Sequence, residues 1–325
     1  MKKKLILLSL CVSIVLCSLK FLAFYITSSN AILTDALESI INVIAAAFAF
    51  YSIHLASQPK DFLHPYGHGK IEFFSAGFEG ALIILAGFFM IYESIKNFLH
   101  PSEMSSLPIG ILILAFTIII NGILGKKLQK LGKIMNSVTL VADGKHLVID
   151  AVSNVILLVG VAAIYFTHFN QLDSILSIVF SFVILWNGFK MVRSSVAGLM
   201  DEADTNTLQT ILNILITNRN PYWIDIHNLR VQHYGSDLHI DAHLTLPYYF
   251  TLEQTHEEVN SVKTYITKNT QRNVEIFIHA DPCLPPENCM ACSVLNCPVR
   301  KADFVKSYTW TIENISKDAR HYTNG

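Results

Sequence analysis

Charge is what this chain has little of. Only 15% of its 325 residues are Asp, Glu, Lys or Arg, where a soluble domain usually carries about 25%. That shortage argues against an ordinary soluble enzyme and against a disordered chain. The net charge of -1 supplies no broad basic field to hold phosphates, which argues against a nucleic-acid binder. The H-E-x-x-H signature of a zinc hydrolase is missing too: Thr255-His256-Glu257-Glu258 lacks the second histidine. What the chain does have is apolar surface. The set AVILMFWYC makes up 52% of it and the mean hydropathy is +0.42. These residues lie in long blocks from Leu5 to about Gly198. Beyond that point the chain reads as a soluble domain.

A bilayer core ~30 Å thick takes about 20 mostly apolar helical residues. Six stretches meet that length: 5–27, 32–55, 73–99, 107–124, 138–166 and 172–191. The first follows Lys2, Lys3 and Lys4 as a signal peptide would. It is too long for one and lacks a small-residue cleavage site, so it reads as a retained helix. Basic residues then set the orientation. They fall before the first span, between the second and third (Lys60, Lys70), between the fourth and fifth (Lys126, Lys127, Lys130, Lys133), and at the end of the sixth (Lys190, Arg193). The loops around 28–30, 101–106 and 167–171 carry no Lys or Arg. Both termini are therefore expected in the cytosol, in an integral protein of the plasma or inner membrane.

Ionisable groups inside apolar spans are costly, and each marks a functional site to be tested. The second span carries Glu38 and Asn42, and the fifth carries His146 and Asp150. Each pair is four residues apart and so shares one helix face. Two such pairs on neighbouring helices can close a tetrahedron of N and O donors around a divalent cation. The competing explanation is helix–helix hydrogen bonding, which Asn42 alone would suit. Glu, His and Asp at matched spacing favour the metal. Asp35 and Asp143 stand one turn before these pairs. They are either groups on the access path or ordinary polarity near helix ends. Asp61, His64 and His68 form a further set, in a loop turned by Pro65, Gly67 and Gly69, where a second cation can be held.

From Asp201 the pattern changes. Thr205–Thr217 is an amphipathic helix with Leu208, Ile211, Leu212 and Leu215 on one face. Residues 228–234 and 238–246 alternate as two strands of a hairpin, 252–268 form a second helix, and 273–279 a third strand. The order αββαβ predicts a small α+β sandwich. Histidines on a strand's polar face, such as His239 and His243, are usually just solvated. Four of the six cysteines then cluster as Cys283, Cys289, Cys292 and Cys297. In a cytosolic tail disulfides are not expected. Four thiolates including a C-x-x-C suit zinc, or secondarily an iron–sulfur cluster, and the competing reading is reduced thiols in a flexible tail. Cys11 and Cys17, on the first span, read as packing residues. The residues after Cys297 read as a short helix or as disordered.

Three motifs together carry a resemblance: Ser28-Ser29-Asn30-Ala31-Ile32-Leu33-Thr34-Asp35-Ala36, the His64–Glu72 loop, and Ala142-Asp143-Gly144-Lys145-His146 through Asp150. With them the chain, over nearly residues 1–282, resembles the cation diffusion facilitator family of divalent-metal/proton antiporters. The resemblance implies a multi-pass helical membrane protein with six transmembrane helices, forming a homodimer, with a ferredoxin-like cytosolic domain. It implies a division into a transport domain (1–199), a metal-binding and dimerisation domain (200–282) and a Cys-rich tail (283–325). It places the transport site on Glu38, Asn42, His146 and Asp150. Asn42 departs from the Asp of the common zinc members. It places cytosolic-domain ligands at His227, His243, His256, His279 and Asp281, and a dimer-locking pair at Lys70 and Asp201. The expected activity is efflux of a divalent transition metal, zinc first, by alternating access in exchange for protons. Iron, cobalt, nickel, manganese and cadmium are the other cargoes. Neither an enzymatic role, an organic cofactor nor a nucleic-acid partner is expected. The rival is a membrane-bound metal sensor without flux.

Overall fold

The computed structural model describes residues 1–27, 30–99, 107–167, 172–270 and 272–321. The side chains of Asp35 and Glu38 lie outside the described residues, as do the loops at 28–29, 100–106 and 168–171. The chain divides into two compact units, Met1–Met200 and Asp201–Gly325.

The first unit consists, among the described residues, of six long helices: α1 (Lys2–Thr27), α2 (Asn30–Ala56), α3 (Ile71–Leu99), α4 (Leu107–Ile134), α5 (Val138–Thr167) and α6 (Leu172–Leu199). Helix α4 runs well past the apolar block at 107–124. Its last turns carry Lys126, Lys127, Lys130 and Lys133, a basic extension that hydropathy alone does not mark as part of the helix. At ~1.5 Å per residue each helix is long enough to cross a bilayer. Apolar windows fit for crossing lie in Lys2–Leu22, Ser39–Ala56 and Ile71–Lys96 among the described residues. Large apolar side chains such as Leu22, Phe88, Ile119 and Trp186 face outward from the bundle. That inversion of the soluble pattern suits a hydrocarbon solvent.

The closest helix pairs are α1 with α2, α3 with α6, and α4 with α5. Glycine makes two of these approaches possible. A Cβ placed on Gly144 of α5 would lie 2.7 Å from the Gly125 carbonyl oxygen and from the Gln129 nitrogen of α4. One on Gly188 of α6 would lie 3.0 Å from the Gly80 carbonyl of α3. Small residues of this kind let helix backbones meet in a membrane, where no hydrophobic force separates protein from lipid. Glu72, buried in the first turn of α3, gathers one end of the bundle. It takes Lys2 Nζ at 3.3 Å and Ser137 Oγ at 2.5 Å, so the starts of α1, α3 and α5 share that end.

The second unit has the order α7 (Thr205–Thr217), β1 (Asp225–Tyr234), β2 (Asp237–Leu246), α8 (Leu252–Asn269) and β3 (Val274–Pro282). Asp204 caps α7 by accepting from the Asn206 and Thr207 N–H groups. Leu208, Ile211, Leu212 and Leu215 are its buried face, as the 3.6-residue period predicts. Strands β1 and β2 pair antiparallel, and β3 joins β2 in parallel after the α8 crossover. A bulge between His227 and Arg230 leaves the Asn228 N–H outside the ladder, and it donates to the Lys317 carbonyl at 2.8 Å.

Residues 283–321 fold onto this same unit. Cys283, Ala291, Cys292, Val294, Tyr308, Trp310 and Ile315 join the core that α7, α8 and the sheet enclose. The Arg219 guanidinium lies 3.8 Å over the Trp310 ring and donates to the Tyr308 carbonyl at 2.6 Å. A short helix, α9 (Ile312–Ile315), does follow Cys297. The segment is held in place because its aromatic residues are spaced to reach a core that the αββαβ unit leaves open.

Candidate metal centres

Helices α2 and α5 bring three of the four expected transport donors together. Asn42 Nδ2 donates to Asp150 Oδ2 at 2.6 Å. Asn42 Oδ1 and His146 Nε2 are 3.0 Å apart. His146 Nε2 and Asp150 Oδ1 are 3.7 Å apart. Metal–ligand bonds of ~2.0–2.1 Å in a tetrahedron imply ligand–ligand edges of roughly 3.3 Å, and the two latter distances bracket that value. His146 is buried, and Ile41, Ile83, Ile149 and Ile184 line a small pocket around the group. The chemistry is that of a neutral amide strung between an imidazole and a carboxylate, inside an apolar wall. Glu38 lies one turn before Asn42 on α2, its side chain outside the described residues.

Asp143 is buried one turn before His146, with Oδ2 unpartnered. Glu79 on α3 is wholly buried and both its carboxylate oxygens lack a hydrogen-bond partner. Sequence analysis passed over Glu79. The signal was available: a lone carboxylate between Phe78 and Gly80 within an apolar span.

The loop before α3 closes a second set. Asp61 Oδ1 accepts from the His64 N–H at 2.6 Å and lies 3.1 Å from His64 Nδ1, while Asp61 Oδ2 lies 3.3 Å from His68 Nε2. The ligand atoms of the three lie within 4.8 Å of one another. Gly67 makes the loop possible by taking φ +90, a conformation open to glycine at little cost. The His64 backbone N–H, with smaller help from the two histidines, holds the Asp61 carboxyl below its ordinary pKa.

In the second unit the strand register places His227, His243 and His279 on one rung across β1, β2 and β3. Asp281 projects beside that rung. Its Oδ2 lies 3.4 Å from His227 Nε2 and 3.2 Å from His243 Nδ1, and its Oδ1 lies 3.7 Å from His279 Nε2. His227, His243 and Asp281 close within 4.8 Å as a set. His256 stands apart from them, exposed on α8.

The last described residues lie across this set. Arg320 Nη2 donates to Asp281 Oδ1 at 3.0 Å, and Arg320 Nη1 to the Pro282 carbonyl at 3.1 Å. His321 pairs with Asp225 through both its backbone N–H and its ring. Asp225 also lies 3.5 Å from His227 Nδ1. Burial opposes ionisation of Asp225, but the hydrogen bonds from His227 and His321 outweigh it and hold the carboxyl below its ordinary pKa. Sequence analysis anticipated none of this strap, because no local pattern reveals which distant backbone a terminal Arg will reach.

All four tail cysteines are free, with Cys283, Cys289 and Cys292 buried and Cys297 half-buried. Lys70 belongs to the first unit and Asp201 to the second. Within its own unit Asp201 Oδ2 accepts from Gln232 Nε2 at 3.3 Å.

A bundle that turns apolar faces outward and keeps its ligand groups inside is the architecture of a membrane transporter for cations. Two family models match the chain. One, described as the cation efflux transmembrane domain, spans residues 6–200, and the other, described as the cytoplasmic domain of cation efflux proteins, spans 203–283. The chain therefore belongs to the cation diffusion facilitator family, a family of divalent-metal transporters. It is an integral membrane protein whose second unit is of a dimer-forming type. It is 31% identical over 271 residues to an uncharacterised transporter of Synechocystis sp., covering 83% of this chain and 87% of that one. It is 25% identical over 275 residues to the cation-efflux pump FieF of Shewanella oneidensis, covering 84% and 92%. It is 28% identical over 286 residues to metal tolerance protein C1 of Arabidopsis thaliana, covering 83% and 60%.

Proposed function

We propose that this chain exports a divalent transition metal, zinc first, by alternating access coupled to inward proton flow. The observation that carries the proposal is the meeting of Asn42, His146 and Asp150 from two helices inside an apolar wall. Glu38 is the fourth donor. With Glu38 and Asp150 ionised and Asn42 and His146 neutral, the site bears two negative charges, which a divalent cation cancels. That balance matters where lipid penalises net charge. An imidazole donor favours zinc, cobalt, nickel or ferrous iron over magnesium and calcium. A ligand must shed its proton to bind metal, so protons arriving from outside compete for His146, Asp150 and Glu38 and drive release.

The remaining assignments follow the same reading. Both termini face the cytosol, and the chain acts as a homodimer in the cell membrane with Lys70 and Asp201 locking the protomers. Asp35 and Asp143 line the two approaches to the site. Asp61, His64 and His68 hold a second cation. His227, His243 and Asp281, joined by His279, and by His256 from the helix, bind cytosolic metal and bias the dimer toward transport. There, Arg320 holds Asp281 Oδ1 beside the Oδ2 that faces His227 and His243, and so competes with metal for the carboxylate's charge. No bond of a substrate is made or broken, and no organic cofactor takes part.

The test is zinc flux into proteoliposomes with and without an imposed pH gradient. Flux that follows the gradient is expected. Metal binding without flux would establish the sensor instead, and flux indifferent to the gradient would remove proton exchange.

A further inference from the structure

We propose that Cys283, Cys289, Cys292 and Cys297 hold one zinc ion as a tetrathiolate, and that this ion fastens residues 283–310 to the second unit. The inference is independent of the transport reading, since it concerns a different ligand chemistry in a segment that, Cys283 apart, lies beyond both family matches.

Burial of the four thiols at one core carries it: Cys283, Cys289 and Cys292 are buried and Cys297 half-buried, with Cys283 and Cys292 in the core and Cys297 packed against it. The Lys301 N–H reaches Cys289 Sγ at 3.4 Å. A neutral thiol is a weak acceptor and needs no such partner. A metal-bound thiolate is negative, and donors around it fix its orientation and share its charge. The Lys301 N–H is placed to do this at Cys289.

Arg300 adds to this. Its guanidinium donates to the carbonyls of Cys289 at 3.0 Å, Cys292 at 3.0 Å and Val294 at 2.6 Å. It thereby ties the C-x-x-C turn to the strand of chain that follows it, and sets a positive charge beside the sulfurs. Four thiolates around a divalent ion leave an excess of negative charge, which this cation offsets.

The segment also needs a fastening. Between Leu284 and Thr311 the regular structure is the single 3-10 turn Glu287–Met290. Irregular stretches of this length are uncommon inside compact domains, and small irregular units usually rely on disulfides or a metal. Here all four cysteines are unpaired. Cys283 and Cys292 share one core with Ala291 and Val294 of the segment, and Cys297 packs against it.

Among the described residues, the sets of three or more ligand atoms closing within 4.8 Å are the two histidine–aspartate sets. The thiols thus stand wider than the roughly 3.8 Å edges that ~2.3 Å zinc–sulfur bonds require, and loading contracts the knuckle. Each thiol that becomes a ligand releases its proton to solvent. An all-sulfur set selects zinc over magnesium, calcium and manganese.

The experiment uses the full-length protein in detergent, stripped of metal under reducing conditions and titrated with cobalt(II). Thiolate-to-cobalt charge-transfer absorption saturating at one ion per chain, and displaced by zinc, is expected. The double variant Cys289→Ser/Cys292→Ser should lose that absorption and one zinc per chain, while His243→Ala keeps the absorption. Reactivity of the wild-type thiols toward a disulfide reagent gives a second measure that does not depend on the variant folding, and zinc should protect all four. Equal reactivity with and without zinc would overturn the proposal. So would iron with acid-labile sulfide as the bound species.

Discussion

At the residue scale, the side chain that decides most is Asn42. Its amide donates to Asp150 and faces His146, so it orders both partners without adding charge or a titrating proton. Replacing Asp150 with Ala removes a charged group of the proposed ligand set and leaves Asn42 Nδ2 without its acceptor. Transport should then fall to background while membrane insertion and the helical content stay normal, which flux assays and circular dichroism together would check. Asn42→Asp keeps the shape and adds a third acid. Flux should then depend more steeply on pH, and the order of preferred metals should change. A pH–flux profile and metal ranking identical to wild type would remove Asn42 from the ligand set. His146 and Asp150 were legible in the sequence because lipid makes mid-span polarity conspicuous. Glu79 was equally conspicuous in principle, yet no i, i+4 partner drew attention to it.

At the element scale, the strap over the sheet is the least local feature. It exists because the bulge at Asn228 frees one N–H for Lys317 and because Arg320 meets Asp281. A hydrogen bond to a charged group is worth ~1.5 kcal/mol, and about 1.4 kcal/mol is a factor of ten. Arg320→Ala should therefore tighten zinc binding at the His227, His243 and Asp281 set roughly tenfold, as read by competition with a chelator. Unchanged affinity would mean the arginine does not compete. Asp225 supplies a pH test. Its carboxyl is held below the ordinary value near ~3.9, so its stabilising contribution is complete above that pH and is lost as pH falls through the lowered value. Melting of the second unit should be more acid-sensitive in wild type than in Asp225→Asn. Most helices and strands were readable from periodicity, with α7 matching at both ends. The strap was not, since its partners are 38 to 96 residues away in sequence and obey no period. The extended start of β1 was hidden likewise, because 225–227 pair across the sheet beyond the bulge that interrupts the alternation.

At the scale of the whole molecule, the division after Met200 follows the shift from lipid-facing to water-facing composition. That shift was plain in the sequence. The fate of residues 283–321 was not, because polar composition hides a few well-placed aromatics. Trp310 and Tyr308 are buried in the second unit, so truncation before Leu284 should lower that unit's melting temperature by several degrees. As for assembly, charge reversal at Lys70 to Glu should weaken the dimer. Combining it with Asp201→Lys should restore the dimer, as cross-linking in membranes would show. Failure of the double reversal would dissociate the lock from these two residues.

The meeting of Gly125 and Gly144 has a steric consequence of its own. Backbone atoms already occupy the space where a methyl on Gly144 would go, and neither chain can swing aside as a flexible side chain would. Gly144→Ala should wedge apart two closely packed rods, tilting His146 and Asp150 away from Asn42. One added carbon, touching no ligand and carrying no charge, would then disable cargo capture as thoroughly as deleting a donor.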